Sequence, residues 1–270
     1  MNNNKINEFF EKEKIEYYAI LDYNDLHQIN PRIIERKNIE AKSVIIFLIP
    51  YYAGETVNLS KYAAAKDYHL YIKGITERLI QFLRAEYPEN SFFGFGDHSP
   101  IDERYAALVG GLGILGENGL LINEKYGTYV FVADVISDLP KEKIGASAPK
   151  AIKKCKNCNA CKNACPTGIL AGKSAVCLSF VTQKKGELSE DEIKLIKENN
   201  TVWGCDVCQD VCPYNKDTKQ TPIDFFKTSL IKNLTKEILD SMDEEEFSER
   251  AFAWRGRKTV LRNLELKSDE

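Results

Sequence analysis

The chain has 270 residues, of which 43% are hydrophobic and 29% are charged, and its formal net charge is −3. This composition is typical of a globular protein with one large or two ordinary domains. The charge does not indicate a surface that is basic throughout, so any contact with nucleic acid has to come from a local patch. No apolar run approaches the roughly 18 residues needed to span a bilayer, and the polar start MNNNKINEFFEKEK is unlike a secretory signal. We therefore expect a cytoplasmic protein without a membrane segment.

The first half of the chain carries both helix and strand signals. The patterns predict, in chain order, a helix over 4–14, a buried strand over 44–49, an amphipathic helix over 68–86 and a second buried strand over 129–136. Between the last two lies a segment rich in glycine, FGFGDHSPIDERYAALVGGLGILGENGLLI, which we expect to build a site from loops. The sequence therefore predicts an α/β domain over 1–145.

The second half of the chain differs sharply in composition, because all eight cysteines lie between Cys155 and Cys212. The polar segment 141–154 is the predicted connector. Ser189 and Glu192 form a capping-box pattern before a helix of roughly ten residues, and a final helical region is predicted over 236–266. We therefore divide this half into a cysteine domain over 146–225 and a helical tail over 226–270.

The cysteines form two motifs, each ending in Cys-Pro. These are CKNCNACKNACP, with Cys155, Cys158, Cys161 and Cys165, and CDVCQDVCP, with Cys205, Cys208 and Cys212. The first has the spacing of bacterial two-cluster ferredoxins, in which the fourth cysteine ligates the other cluster. The second is one cysteine short, and Cys177 remains to complete it. The pattern predicts two [4Fe–4S] clusters that transfer single electrons, one on Cys155, Cys158, Cys161 and Cys212, the other on Cys165, Cys177, Cys205 and Cys208.

Zinc binding and disulfide formation are two other possible uses of the cysteines. Two zinc sites with four thiolates each would need the same number of residues. The tight run of four cysteines and the Cys-Pro endings favour iron–sulfur clusters instead. Disulfides are disfavoured because cytoplasmic thiols are kept reduced.

Further stretches along most of the chain match the pattern of a known family. They are LSKYAAAKDYH (59–69), GDHSPIDER (96–104), GLGILGENGLLI (111–122) followed by YGTYVFVADV, the cysteine block with the isolated Cys177, and WRGRKTVLRNLEL (254–266). With them the chain resembles the epoxyqueuosine reductases, cobalamin-dependent iron–sulfur enzymes of queuosine-tRNA maturation. These enzymes in turn resemble the reductive dehalogenases.

The resemblance implies a fold and a chemistry. The fold is a reductive-dehalogenase-like α/β domain that binds cobalamin, joined to an α-helical, ferredoxin-like domain with two [4Fe–4S] clusters. An external low-potential donor would supply electrons through the clusters to cobalt, and an epoxide on a modified tRNA base would be reduced to an alkene with loss of water. Asp97 matches the family's proton donor. The cofactor-binding positions implied by the matched stretches are Tyr62, His69, Arg104, Gly113, Gly116 and Asn118.

The chain also departs from the family pattern. Glu117 stands where the family usually has lysine, and the chain ends about seven residues after Asn263, where typical members continue into helical repeats that help hold tRNA. We therefore expect a short form. Two other functions stay open: reduction of a small molecule, as in the dehalogenases, and electron transfer without cobalamin.

Several of these residues have an ordinary structural alternative. Asp97 could be a turn residue before a helix that begins with Ser99 as N-cap and Pro100 as first residue. Arg104 could pair with a neighbouring carboxylate, and the histidine at 69 could simply be exposed.

Other patterns have alternatives as well. Gly111, Gly113 and Gly116 fit the letters of a dinucleotide fingerprint, but a helix precedes them and a strand follows, which is the reverse of what that motif needs. Close backbone approach to a flat cofactor is the preferred interpretation. A basic cluster could contact phosphates or form a solvated helix face; it comprises Arg255, Arg257, Lys258 and Arg262.

Overall fold

The computed structural model describes residues 3–268, which fall into two units: 3–50 with 69–156, and 51–68 with 157–268. The helices are α1 (Asn3–Lys12), α2 (Arg32–Glu35), α3 (Tyr68–Glu86), α4 (Glu103–Val109), α5 (Lys141–Ile144), α6 (Ala160–Ala164), α7 (Leu178–Gln183), α8 (Glu190–Glu198), α9 (Val207–Asp210), α10 (Lys236–Ser241), α11 (Glu244–Ser248) and α12 (Arg257–Ser268). The strands are β1 (Tyr18–Asp22), β2 (Ser43–Pro50), β3 (Phe92–Phe95), β4 (Ile114–Leu115), β5 (Leu121–Ile122) and β6 (Val130–Ser137). Within these residues, no helix combines the length and the apolar character that a bilayer-crossing segment needs.

The first unit is built on a four-stranded sheet of order β1-β2-β6-β3, in which each neighbouring pair is antiparallel. All eight residues of β2 are buried, since both faces of this apolar strand are covered. The mixed α/β character expected of this half is confirmed. The two buried strands and the amphipathic helix α3 lie within one residue of their predicted bounds, because their hydrophobic periodicity is strong.

The predicted connector 141–154 is attached to the first unit along its length. The Ser147 amide donates to the Ile20 carbonyl (2.8 Å), and the Lys150 amide donates to the Val109 carbonyl (2.7 Å). Lys154 also forms a β-bridge with Leu115. This segment is therefore an ordered part of the unit, although its polar composition is typical of a linker.

The second unit takes in residues 51–68, which the sequence places inside the first predicted domain. The Leu59 backbone forms a parallel bridge with Trp203, and the Ser60 amide donates to the Trp203 carbonyl (2.8 Å). Leu59 and Ala63 belong to the same apolar core as the buried Trp203. These contacts are far apart in sequence, which is why composition alone draws the boundary elsewhere.

Helices of the second unit follow their sequence signals closely. The Ser189 capping box is present, with the Ser189 hydroxyl accepting from the Glu192 amide and the Glu192 carboxylate accepting from the Ser189 amide. The final helical region consists of α10, α11 and α12. The buried Asn263 ties α12 to the unit by donating to the carbonyls of Thr182 (2.7 Å) and Val202 (2.8 Å).

Candidate functional site

The first cysteine motif forms a tight loop that leads into the short helix α6. Asn157 and Asn159 have left-handed backbones, with φ of 50° and 62°, a conformation that asparagine tolerates better than most residues. Cys161 is buried within α6, and Cys165 follows its last residue. The loop thereby presents several thiols over a short length of chain.

Hydrogen bonds around the Cys165 thiol favour its thiolate form. Burial raises the pKa of its thiol, but the amides of Leu170, Thr167 and Gly168 and the Thr167 hydroxyl more than offset this effect, so the pKa lies below its ordinary value. Hydrogen bonds to a thiolate favour the charged form that binds metal.

The second motif brings its cysteines to the first, since α9 packs against α6. Burial raises the pKa of Cys205 to about 11, and the charges of Cys177 and Cys165 add to this effect. Burial likewise raises the pKa of Cys208 to about 12, with contributions from Cys205 and Cys177. The thiols of Cys165, Cys177, Cys205 and Cys208 are therefore close enough to interact electrostatically, and they are the predicted second ligand set.

These buried thiols fit the implied iron–sulfur chemistry. A thiolate in an apolar surrounding is costly unless a bound cation compensates its charge, so bound iron stabilises the ionised ligands. All eight cysteines have free thiols. Among residues 3–268, no three Cys, His, Asp or Glu side chains are arranged to hold a lone metal ion. The first ligand set, which includes Cys155 and Cys158, stays a prediction.

In the first unit, Asp97 lies on the loop between β3 and α4, beside His69 at the start of α3. The His69 Nε2 is 3.4 Å from the Asp97 Oδ2, and both side chains are about half exposed, at 47% and 49%. Asp97 has a left-handed backbone with φ of 66°, and its amide donates to the Glu103 Oε1 (3.2 Å). The predicted pair of site residues Asp97 and His69 is therefore brought together.

The predicted helix start, with Ser99 as N-cap and Pro100 as first residue, is wrong, whereas Asp97 does lie in a bend of the chain. Helix α4 begins at Glu103, and its N-cap is Asp102, whose carboxylate accepts from the Tyr105 amide (2.9 Å). The Ser99 hydroxyl instead accepts from the Ile101 amide (3.3 Å). The carboxylate of Asp97 is thus not the cap of α4.

Two further carboxyl groups lie behind this loop, and neither was identified from the sequence. Asp134 is fully buried in the central strand β6, and burial raises its pKa to about 7. A side-chain hydrogen bond with Ser99 offsets only part of this effect. Burial raises the pKa of Glu103 to about 9, and the charges of Asp134 and Asp97 add to this effect. The sequence signal for Asp134 is a single aspartate within the apolar run YVFVADVI, because a charged residue is seldom fully buried.

The glycine-rich turn is shaped by its own chain. A Cβ on Gly113 would lie 2.6 Å from the Ile122 carbonyl oxygen, and one on Gly116 would lie 2.4 Å from the Asn118 Oδ1. The requirement for glycine here comes from the close pairing of β4 and β5. Helix α4 precedes the turn and β5 follows it, as the sequence indicates.

Arg104 and Asn118 meet at this turn. The Arg104 guanidinium donates to the Gly119 carbonyl (2.6 Å). In the part of the chain that the structure describes, it forms no ion pair with Asp97 or Glu103. The Asn118 Oδ1 accepts from the Leu120 amide (3.2 Å), whereas its Nδ2 is buried without a partner among residues 3–268. An orphaned buried donor is costly, and a cofactor amide or carboxylate oxygen would satisfy it. The turn therefore fits a cofactor rich in such oxygens, as cobalamin is.

The Tyr62 side chain and two arginines of the basic cluster form hydrogen bonds within the second unit. The Tyr62 hydroxyl accepts from the Trp203 indole (2.9 Å). Arg262 donates to the carbonyls of Lys184 (2.9 Å) and Gly186 (2.6 Å), and Arg257 donates to the carbonyls at the end of α10. Lys258 is exposed. The basic cluster therefore does not form a continuous solvated helix face, because carbonyl groups of the same unit engage Arg257 and Arg262.

Two family models match the chain. Residues 34–97 match the model described as "Epoxyqueuosine reductase QueG, DUF1730". Residues 154–215, which contain all eight cysteines, match the "4Fe-4S double cluster binding domain". The second match supports two iron–sulfur clusters over two zinc sites.

Similar proteins cover most of the chain. An epoxyqueuosine reductase of Leadbetterella byssophila is 31% identical over 93% of this chain and 82% of its own length. One of Cyclobacterium marinum is 32% identical over 86% of this chain and 76% of its own length. The solved structure of epoxyqueuosine reductase from Streptococcus thermophilus matches 98% of this chain and 80% of that chain with a TM-score of 0.78 at 22% identity. Another, of epoxyqueuosine reductase with an epoxyqueuosine-modified tRNA stem loop, has a TM-score of 0.78 at 23% identity.

Proposed function

Because the chain belongs to the epoxyqueuosine reductase family, we propose that it reduces epoxyqueuosine in tRNA to queuosine, using two [4Fe–4S] clusters and cobalamin. The observation that carries the proposal for the active site is the placement of Asp97. Its half-exposed carboxyl group lies beside His69 and is backed by two carboxyl groups whose pKa values are raised. This is the arrangement expected around a proton donor.

The reaction sets clear demands on the protein. Conversion of an epoxide to an alkene takes up two electrons and two protons and releases the oxygen as water. When bound, cobalamin supplies a metal centre that passes electrons to the substrate, and the clusters deliver those electrons singly. The side chains of the protein have to bind the cofactor, orient the epoxide and provide protons.

Asp97 is the proposed proton donor to the leaving oxygen. Glu103, with a pKa of about 9, remains protonated at neutral pH and adds no negative charge beside Asp97. The hydrogen bond from the Asp97 amide to the Glu103 Oε1 orients the loop. His69 is placed to exchange a proton with Asp97 across 3.4 Å.

The cofactors have separate proposed sites. Asn118, with its unpartnered Nδ2, and the turn of Gly113 and Gly116 would bind cobalamin, and Arg104 holds the turn in place. The clusters would be bound by the eight cysteines in the two sets given above. The thiolates need a reducing compartment to remain free ligands, so we place the protein in the cytoplasm. There a low-potential protein or flavin donor would reduce the clusters.

The proposal is tested with the cluster-reconstituted full chain under anaerobic conditions. Cobalamin titration followed by electron paramagnetic resonance is expected to give a stoichiometric complex. With a chemical reductant and epoxyqueuosine-modified tRNA stem loop, Asp97→Asn is expected to lower kcat by at least 10²-fold while cobalamin affinity stays unchanged. Asp25→Asn, which alters an exposed aspartate of the same unit, serves as the matched control.

Three outcomes would contradict the proposal. Failure to bind cobalamin with both clusters intact would leave an electron-transfer module. Turnover of a halogenated or epoxide-bearing small molecule without turnover of the tRNA would favour the dehalogenase-like function. Full activity of Asp97→Asn would rule out Asp97 as the proton donor.

A further inference from the structure

A buried pair of opposite charges includes a residue of the second cysteine motif. The pair is Lys61 and Asp206, and Asp206 directly follows Cys205. The side chains of Lys61 and Asp206 are only 4% and 6% exposed. Lysine and aspartate are almost never buried to this extent unless they are paired. Lys61 belongs to the stretch LSKYAAAKDYH, and the function proposed above assigns this residue no role.

Asp206 is surrounded by hydrogen-bond donors. Its carboxylate accepts from the Ser60 hydroxyl (2.6 Å), the Lys61 amide (2.6 Å) and the Gln209 side-chain amide (2.7 Å). The Lys61 ammonium lies 4.0 Å from the second carboxylate oxygen. Burial raises the pKa of Asp206, whereas the donors on both oxygens and the nearby ammonium favour the ionised form. Asp206 is therefore a fixed negative charge inside the unit.

The Lys61 ammonium links this charge to the surface. It donates to the Asp210 Oδ1 (2.6 Å) and lies 3.1 Å from the Glu55 Oε2. Asp210 and Glu55 are 47% and 74% exposed, so water screens their charges. Of the three carboxylates around Lys61, Asp206 is thus the one that water screens least.

The position of Asp206 gives the pair a functional meaning. Asp206 stands between Cys205 and Cys208 in the chain, and its carboxylate accepts from the side chain of Gln209, the residue that directly follows Cys208. The Asp206 carboxylate therefore lies on the short loop that carries both sulfur atoms. A negative charge at a ligand sulfur opposes addition of an electron to the cluster, and charge and hydrogen bonding around a cluster set its potential.

We propose that Lys61 and Asp206 are positioning residues that hold the loop of Cys205 and Cys208 and set the reduction potential of the [4Fe–4S] cluster bound there. The inference rests on the cluster assignment but not on the identity of the substrate. It gives Ser60 and Lys61 a role beside the loop that carries the cluster ligands.

The test is a charge cycle at the two positions. Asp206→Asn removes the buried negative charge and is expected to raise the potential of one cluster. Lys61→Met removes the buried positive charge and is expected to lower it. The double variant removes one charge of each sign, so its potential is expected to lie near the wild-type value. Asp217→Asn, an exposed aspartate of the same unit, is the matched control and should leave both potentials unchanged.

The readout is an anaerobic potentiometric titration of the cluster-reconstituted full chain, followed by electron paramagnetic resonance and without substrate. Opposite shifts in the single variants that cancel in the double variant support the proposal. Shifts in the same direction, or none larger than that of Asp217→Asn, overturn it. If both single variants lose iron, retention of both clusters in the double variant supports the pair, and loss there too overturns it. Because no turnover is measured, failure here is distinct from failure of the proposed reductase activity.

Discussion

Replacement of Asp134 by asparagine is expected to stabilise the protein at alkaline pH. Burial raises the pKa of this carboxyl group from 3.8 to about 7. The folded state therefore holds the proton more strongly than the unfolded chain, and the free energy of unfolding falls as pH rises from about 4 to about 7 and then levels off. The two pKa values give a cost of roughly 2 kcal/mol at pH 5 and roughly 4 kcal/mol at pH 8, a loss of about 2–3 kcal/mol across that range. Asparagine does not titrate, so the variant should not show this loss.

The assay is anaerobic urea unfolding of the full chain, followed by circular dichroism at pH 5 and pH 8. The difference in unfolding free energy between Asp134→Asn and wild type should grow by about 2–3 kcal/mol between these pH values. Asp25→Asn, at an exposed position, should show no such growth. Parallel pH profiles for wild type and Asp134→Asn would refute the conclusion that burial raises the pKa of Asp134.

Two further substitutions test the packing of the candidate sites. Gly113→Ala should destabilise the first unit by about 1–3 kcal/mol, since its Cβ would lie 2.6 Å from a backbone oxygen; Gly74→Ala in helix α3 should instead stabilise by up to about 1 kcal/mol, and equal urea midpoints would contradict this account of the turn. Arg262→Ala should cost about 1–3 kcal/mol because two carbonyls lose their donor, whereas Lys258→Ala at an exposed position should change the unfolding free energy by less than about 0.5 kcal/mol.

The features predicted well from the sequence are those encoded over short distances. The helix Tyr68–Glu86 follows from apolar residues at helical spacing, and the capping box of Ser189 follows from residues three apart. The cysteine block is similarly local, and its spacing alone indicates cluster chemistry. In each case the signal and the structure it specifies occupy the same stretch of chain.

The features missed depend on contacts between distant residues. Residues 51–68 join the second unit because Leu59 pairs with Trp203, which no local pattern reveals. The pKa of Glu103 depends on Asp134, 31 positions later in the sequence. The sequence predicts close approach of the glycine turn to a cofactor, whereas in the structure Gly113 accommodates the Ile122 carbonyl. Sequence patterns predicted which residue types matter there, but not what they contact.

The most direct test of the central claim is the mass of the product nucleoside. Epoxyqueuosine-modified tRNA stem loop is incubated anaerobically with the full chain, both clusters, cobalamin and reductant, then digested and analysed by mass spectrometry. The account predicts loss of one oxygen atom from the modified base, dependent on cobalamin and on Asp97. An unchanged mass with both clusters reduced and cobalamin bound would contradict it.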